Sequence, residues 1–320
     1  PGNRTAYDAK GHCVSAYGHL SIKHTDVIDC DLHRTEKNRY MAGLFLWNAF
    51  DNLGEPTPYD TRMARTNREM GRSSLYGACD LTGVPKDTYW LMRAEWNPEA
   101  LTLHILPHWN WPGCEGRPVP VSVYTNGDEA ELFLNGRSLG RRRKAAAEGY
   151  SLEWAGRNPP RADYESNGYY RVCSQYRLRW TGLPTSRREL KAVAFRKGVA
   201  IGEDVLRTAA VPVRVRLTDD PYTPKGGGMA FIQVDVVDRE GVRSRTDMRE
   251  IAFRIEGDAR IVAVGNGDPL DFDPFAMTAR HRLYYGKAVV YIRRGAGDSK
   301  LIATADGLSE GRIEIGRMGR

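Results

Sequence analysis

No run of about 18 apolar residues occurs anywhere in this 320-residue chain, so no transmembrane helix and no membrane partner are expected. Cysteine is scarce and odd in number: Cys13, Cys30, Cys79, Cys114 and Cys173, widely spaced, with no CxxC pair. That excludes the common zinc and dithiol motifs and predicts buried thiols. No glycine-rich nucleotide loop is present either. Gly265-Asn266-Gly267-Asp268 follows an apolar run, but it has no lysine and no helix after it, so it reads as a turn. No cofactor is expected. The net charge of +7 and the pI near 9.1 raise nucleic acid as a partner. Against it stand the lack of a zinc finger, an RNP motif or a long basic helix. The one basic cluster, Arg141-Arg142-Arg143-Lys144, reads as a solvated hairpin end or loop. No signal peptide opens the chain. Its start reads as truncated, so a periplasmic or secreted location stays open, as does a homo-oligomer.

What is present is glycine (33), proline (17), tyrosine (16) and tryptophan (7), with 41% apolar residues, the profile of a loop-rich β protein. Residues 1–39 are polar and irregular, with a weak helical pattern. Met41 to Trp47 is a short apolar run and predicts a buried strand. It ends at an aromatic residue. A polar loop then carries Asp51, Glu55, Pro56 and Pro58. At the carboxyl end of a barrel strand such residues line an active site. Trp47 there suits stacking on the C–H face of a sugar, although a core position is also open to it. Asp51 and Glu55 lie four apart, but a Gly/Pro loop does not fix their separation. A catalytic pair is therefore not expected. Gly83-Val84-Pro85 predicts a turn and the following residues a helix, with Tyr89, Leu91, Met92 and Trp96 on its apolar face.

After Pro98 the pattern changes to period two. Segment 119–140 reads as alternating strands around Thr125-Asn126-Gly127-Asp128, with a second turn at Asn135-Gly136. Both Asn-Gly pairs are hairpin signals. Strands at 176–180 and 189–202 complete a first immunoglobulin-like sandwich, with 145–172 as an insertion. His104 and His108 alternate but have no third metal ligand nearby, so they read as packing residues beside Trp109 and Trp111. Runs at 212–220, 229–241, 250–269, 287–294 and 299–316 predict a second sandwich. Asp268, Asp271 and Asp273 are a weak calcium candidate.

Five stretches resemble glycoside hydrolase family 2, in its β-galactosidase-like branch: 42–59, 73–96, 103–113, 123–140 and 262–269. The resemblance implies a mainly β chain of two immunoglobulin-like β-sandwiches (99–207 and 208–320). Before them, residues 1–98 would be the C-terminal remnant of a (β/α)8 TIM barrel. It implies a retaining glycosidase acting through two glutamates about 5–5.5 Å apart. In the family both precede the strand that ends in Trp47. No such motif stands before Met41, so both catalytic residues are expected outside this chain and the isolated chain is expected to be inactive. By resemblance the substrate-binding residues are Trp47, against the glycone, with Asn48 and Asp51 near sugar hydroxyls. Relatives commonly read Trp-Thr-Gly where this chain has Trp47-Asn48-Ala49. The glucuronidase branch carries Asn-x-Lys before a glycine. Here Ser74-Leu75-Tyr76-Gly77 stands at that place, and a sugar carboxylate would find no cation. A neutral β-galactoside or oligosaccharide is the implied substrate. The competing expectation is a non-catalytic carbohydrate-binding or structural β-sandwich module.

Overall fold

The computed structural model describes residues 7–8, 13–14, 28–54, 72–74, 76–145, 174–185, 187, 189–221, 223, 227–276 and 278–319. The chain divides into two compact units. One comprises Pro1–Asp51, Leu75–Cys79 and Pro85–Arg207. The other comprises Asn52–Ser74, Asp80–Val84 and Thr208–Arg320. The chain is mainly β, and among the described residues the ladders between named strands are antiparallel.

The first unit begins with a short pair, β1 (Tyr7–Asp8) and β2 (Cys13–Val14). Helix α1 (Ile28–Lys37) follows, with Asp29 and Asp31 in its first turn and Arg34 and Lys37 in its last, each sign where the helix dipole favours it. Helix α2 (Asp87–Trp96) buries Leu91, Met92 and Ala94. Trp96, expected on that face, is instead 52% exposed in the last turn. The sandwich then pairs a three-stranded sheet with a four-stranded one. The first has the order β3 (Leu103–Leu106), β4 (Pro118–Thr125), β7 (Arg177–Pro184). The second runs β6 (Arg137–Arg143), β5 (Glu129–Leu134), β8 (Glu189–Arg196), β9 (Val199–Arg207). Its core holds Val121, Val123, Leu132, Trp180, Leu190 and Trp109.

The two Asn-Gly pairs separate here. Asn135 (φ 52°) and Gly136 (φ 80°) turn β5 into its hydrogen-bonded neighbour β6, as a hairpin requires. Asn126-Gly127 does not make a hairpin: β4 and β5 lie in different sheets, and the turn carries the chain across. The reason is where the Asn126 side chain goes. Its Oδ1 accepts from Thr102 N–H at 3.1 Å and its Nδ2 donates to Ala100 O at 2.9 Å. The amide thereby ties down the chain leading into β3. Of the two readings of the basic cluster, the structure has the hairpin end: Arg141, Arg142 and Arg143 are exposed and close strand β6 of the β5–β6 hairpin.

The second unit packs two four-stranded sheets. One has the order β10 (Arg214–Asp219), β11 (Met229–Val237), β15 (Lys287–Arg293), β13 (Arg260–Gly265). The other has the order β14 (Arg280–Arg282), β12 (Glu250–Glu256), β16 (Ser299–Thr304), β17 (Gly311–Ile315). Alternate residues of β11, Ala230, Ile232, Val234 and Val236, are fully buried against Ile251, Val290, Ile292 and Leu301. The Gly265–Asp268 turn is built around Asp80. Asp80 Oδ1 accepts from Thr82 and Val84 N–H, and Oδ2 accepts from Lys287 Nζ at 2.6 Å. A Cβ on Gly267 would lie 2.4 Å from Asp80 Oδ2, and its φ of +79° already favours glycine. Burial pushes the Lys287 ammonium below the ordinary lysine value, against the pull of Asp80.

Cys114 is disulfide-bonded, which overturns the expectation of thiols throughout, whereas Cys79 keeps its thiol. The side chains of Cys13, Cys30 and Cys173 lie outside the described residues, as do Glu55 and the insertion at 146–172.

Candidate functional site

Residues 41–51 form the site the sequence singles out. The chain leaves α1 by a turn, with Met41 N–H donating to Asn38 O at 2.8 Å. It then runs extended to Trp47. The predicted strand is not formed: no residue from Met41 to Trp47 is in a ladder. The alternation of a strand survives nonetheless. Leu44 and Leu46 pack into a cluster with Leu32, Leu91, Met92, Leu106 and Tyr124. Phe45 and Trp47 face the other way and are 97% and 73% exposed. A strand needs hydrogen-bonded neighbours, and among the described residues none lies alongside this segment.

Past the cis Trp47–Asn48 peptide the chain is firmly held. Asn48 O accepts from Ala78 N–H at 3.0 Å, Ala49 O accepts from Cys79 N–H at 2.8 Å, and Asp51 N–H donates to Cys79 O at 3.0 Å. Phe50 and Cys79 form a parallel bridge. Gly77 permits this approach, because a Cβ there would sit 2.2 Å from Asp51 N and 2.3 Å from the Phe50 carbonyl carbon.

The Asp51 carboxylate locks the arrangement. Lys86 Nζ lies 2.9 Å from each of its oxygens, and Gly77 N–H donates to Oδ1 at 2.9 Å. Both side chains of the pair are only 2% exposed. A buried carboxylate that accepts three such hydrogen bonds is a structural anchor more than a surface hydroxyl acceptor. Sequence reasoning missed Lys86 and Gly77. The one signal for Lys86 was its place: it stands at the N-cap position of α2, where the helix dipole disfavours a cation unless an anion offsets it. Trp47 and half-buried Asn48 thus stand at the start of a pinned loop, while Asp51 is the pin.

The histidines have separate partners. His104 Nε2 is 2.8 Å from Asp87 Oδ1 and its ring stacks on Trp90, whereas His108 stacks on Trp111 and accepts from Asn110 N–H. The carboxylates of the calcium candidate cap turns. Asp268 accepts from Leu270 N–H, and Asp271 accepts from Asp273 N–H and Asn266 Nδ2. Among the described residues no group of three His, Cys, Asp or Glu side chains could hold a metal ion. No helix among them is long and apolar enough to cross a membrane.

A mainly β chain of two sandwiches, led by helices and a tryptophan-bearing extended segment, has counterparts among known proteins. Residues 213–314 match the family described as Glycoside hydrolase family 2 C-terminal domain 5, and residues 116–202 match a domain of unknown function, DUF4982. The chain is 30% identical over 306 residues to "Beta-galactosidase BoGH2A" of Bacteroides ovatus, covering 94% of this chain and 31% of that protein. It is 26% identical over 255 residues to a "Putative beta-glucuronidase" of Formosa agariphila, covering 79% of this chain and 22% of that protein. A crystal structure of a β-glycosidase from Bacteroides vulgatus superposes with a TM-score of 0.72 at 26% identity, covering 93% of this chain and 34% of that one. A glycosyl hydrolase family 2 member from Bacteroides cellulosilyticus gives 0.71 at 26%, covering 93% and 38%. The chain belongs to glycoside hydrolase family 2, of which it represents a C-terminal part. It spans about a third or less of the length of the curated relatives named here.

Proposed function

We propose that this chain is the C-terminal part of a retaining glycoside hydrolase acting on terminal β-galactosides, with Trp47 as the glycone platform. The observation that carries this is the contrast in the site. Trp47 is 73% exposed, while the loop that follows it is tied down by a buried Asp51–Lys86 pair. A flat apolar ring held rigidly at a surface fits the C–H face of a pyranose. Asn48 follows it and lies near the sugar hydroxyls. Asp51 acts indirectly, by holding the loop.

The galactoside assignment over a glucuronide rests on charge. Where the glucuronidase branch has its cation, this chain has Ser74-Leu75-Tyr76-Gly77. Ser74 is buried and its hydroxyl accepts from Asn52 N–H at 2.8 Å. Lys86 is committed to Asp51. The name of the Bacteroides ovatus relative supports a galactoside, and that of the Formosa agariphila relative favours a glucuronide. Both catalytic glutamates lie outside this chain. The two sandwiches brace the catalytic domain.

The test is direct. This chain alone, assayed with p-nitrophenyl β-D-galactoside, is expected to give no turnover. Clear turnover would mean that the reactive carboxylates are within it.

A further inference from the structure

The sequence has Asn-Gly pairs at 126, 135, 167 and 266, and all but the one at 167 lie within the described residues. The fold treats these described pairs differently. Asn126 is bound at both ends of its amide. Its Oδ1 accepts from Thr102 N–H at 3.1 Å and its Nδ2 donates to Ala100 O at 2.9 Å, while Gly127 N–H donates to Thr125 Oγ1 at 3.0 Å. Asn266 is buried. Its Nδ2 donates to Asp271 Oδ2 at 2.7 Å and to Arg282 O at 3.0 Å, and its Oδ1 accepts from Asp268 N–H at 2.9 Å. Asn135 and Gly136 are both exposed, at the tip of the β5–β6 hairpin. There Asn135 Oδ1 accepts from Glu189 N–H at 3.0 Å, and Gly136 N–H has no acceptor among the described residues. Nothing lies within 4 Å of where a Cβ on Gly136 would stand, so this end of the turn is open to solvent.

We propose that Asn135-Gly136 is a site of spontaneous deamidation, at which the first sandwich acquires a carboxylate and an isoaspartyl linkage with solvent water as co-reactant. Gly136 N gives up its proton to hydroxide and attacks Asn135 Cγ. The new Cγ–N bond forms, the Cγ–Nδ2 bond breaks, and Nδ2 leaves as ammonia after taking a proton from water. The product is a cyclic imide made of Asn135 Cα, Cβ, Cγ and C with Gly136 N. Water then opens the ring. Attack at Cγ returns the original backbone with an aspartate side chain; attack at the main-chain carbonyl carbon leaves the chain running through Cγ, as isoaspartate. The local structure favours the first step. Negative charge gathers on Oδ1 as the nitrogen attacks, and Glu189 N–H is already directed at that atom. Glycine has no side chain to shield its nitrogen. Ring closure also requires the turn to leave its left-handed conformation, with φ 52° at Asn135. That opening is local, because β6 is an edge strand exposed along nearly all its length. Releasing Asn126 or Asn266 would break several side-chain bonds together.

The experiment incubates the full 320-residue chain in mildly alkaline buffer, folded in one sample and unfolded in concentrated urea in another. Peptide mass spectrometry follows each described Asn-Gly pair, with fragmentation that separates aspartate from isoaspartate. In the folded chain Asn135 should convert about tenfold or more faster than Asn126 and Asn266. In urea the rates at these positions should come within about threefold of one another, because no fold then distinguishes them. Isoaspartate should form part of the product at Asn135. Equal rates at all of them in the folded chain overturn the proposal, as does an Asn135 that stays intact in the folded chain while the urea sample reacts. Aspartate without isoaspartate also overturns it, since direct hydrolysis of the side-chain amide leaves Gly136 N unused. The readout is a covalent change in one surface turn, so it is independent of whether the complete enzyme hydrolyses a galactoside.

Discussion

Met41–Trp47 and β11 are both apolar runs, and they meet opposite fates. In β11, Ile232, Val234 and Val236 alternate into a closed core between two paired sheets. In the opening segment only Leu44 and Leu46 find neighbours, while Phe45 and Trp47 stand in solvent. An apolar run yields a ladder only where partner strands supply hydrogen bonds and a second face to cover. An apolar run therefore encodes a demand for neighbours, and the structure shows which demands are met. What fixes the opening segment is instead polar: backbone bonds to residues 78 and 79 and the Asp51–Lys86 pair.

The largest effect should come from splitting that pair. Lys86→Met strands a buried carboxylate and should cost about 3–5 kcal/mol, read as a fall in the urea midpoint. Replacing Asp51 by Leu as well should restore most of it. A single substitution without loss would show that the loop is not held as described. Next, Ile232→Ala should cost about 2–5 kcal/mol, whereas Phe45→Ala should stay within about 0.5 kcal/mol. Equal losses would erase the distinction between the two runs. Gly77→Ala should cost about 1–3 kcal/mol, because the new methyl group meets backbone atoms that have no room to yield.

The smallest effect is in acid. Asp258 accepts N–H bonds from Gly297, the larger cause, and Ala296, and a bond from the Ser299 hydroxyl; against the opposing effect of desolvation these hold its carboxyl below the usual aspartate range. A depressed folded value means that the stabilisation is present above the unfolded pKa and is lost as the pH falls through the folded one. Asp258→Asn should therefore flatten the decline of the second sandwich's urea midpoint between about pH 5 and about pH 3. An unchanged slope would remove Asp258 from the account.

The sandwiches were legible because period-two burial is written locally. The patterns of β8 and β11 and the turn at Asn135-Gly136 needed no distant information. Asn126-Gly127 misled because its tripeptide context matches a hairpin, and only the bonds from its side chain to residues 100 and 102 send the chain into the other sheet. Trp47 was legible as an aromatic at the end of an apolar run. Its anchor was not, since Asp51 and Lys86 are 35 residues apart and Asp29 and Arg177 are 148 apart. Pairs of that separation leave no periodicity for a sequence to display.

The most direct measurement uses the protein encoded by the complete reading frame and compares it with its Trp47→Ala variant on p-nitrophenyl β-D-galactoside and the matching β-D-glucuronide. The galactoside should be preferred, and the variant should lose about 100-fold in kcat/KM at an unchanged melting temperature. An unaltered kcat/KM, or a preference for the glucuronide, would contradict the assignment of Trp47 as the platform for a neutral sugar.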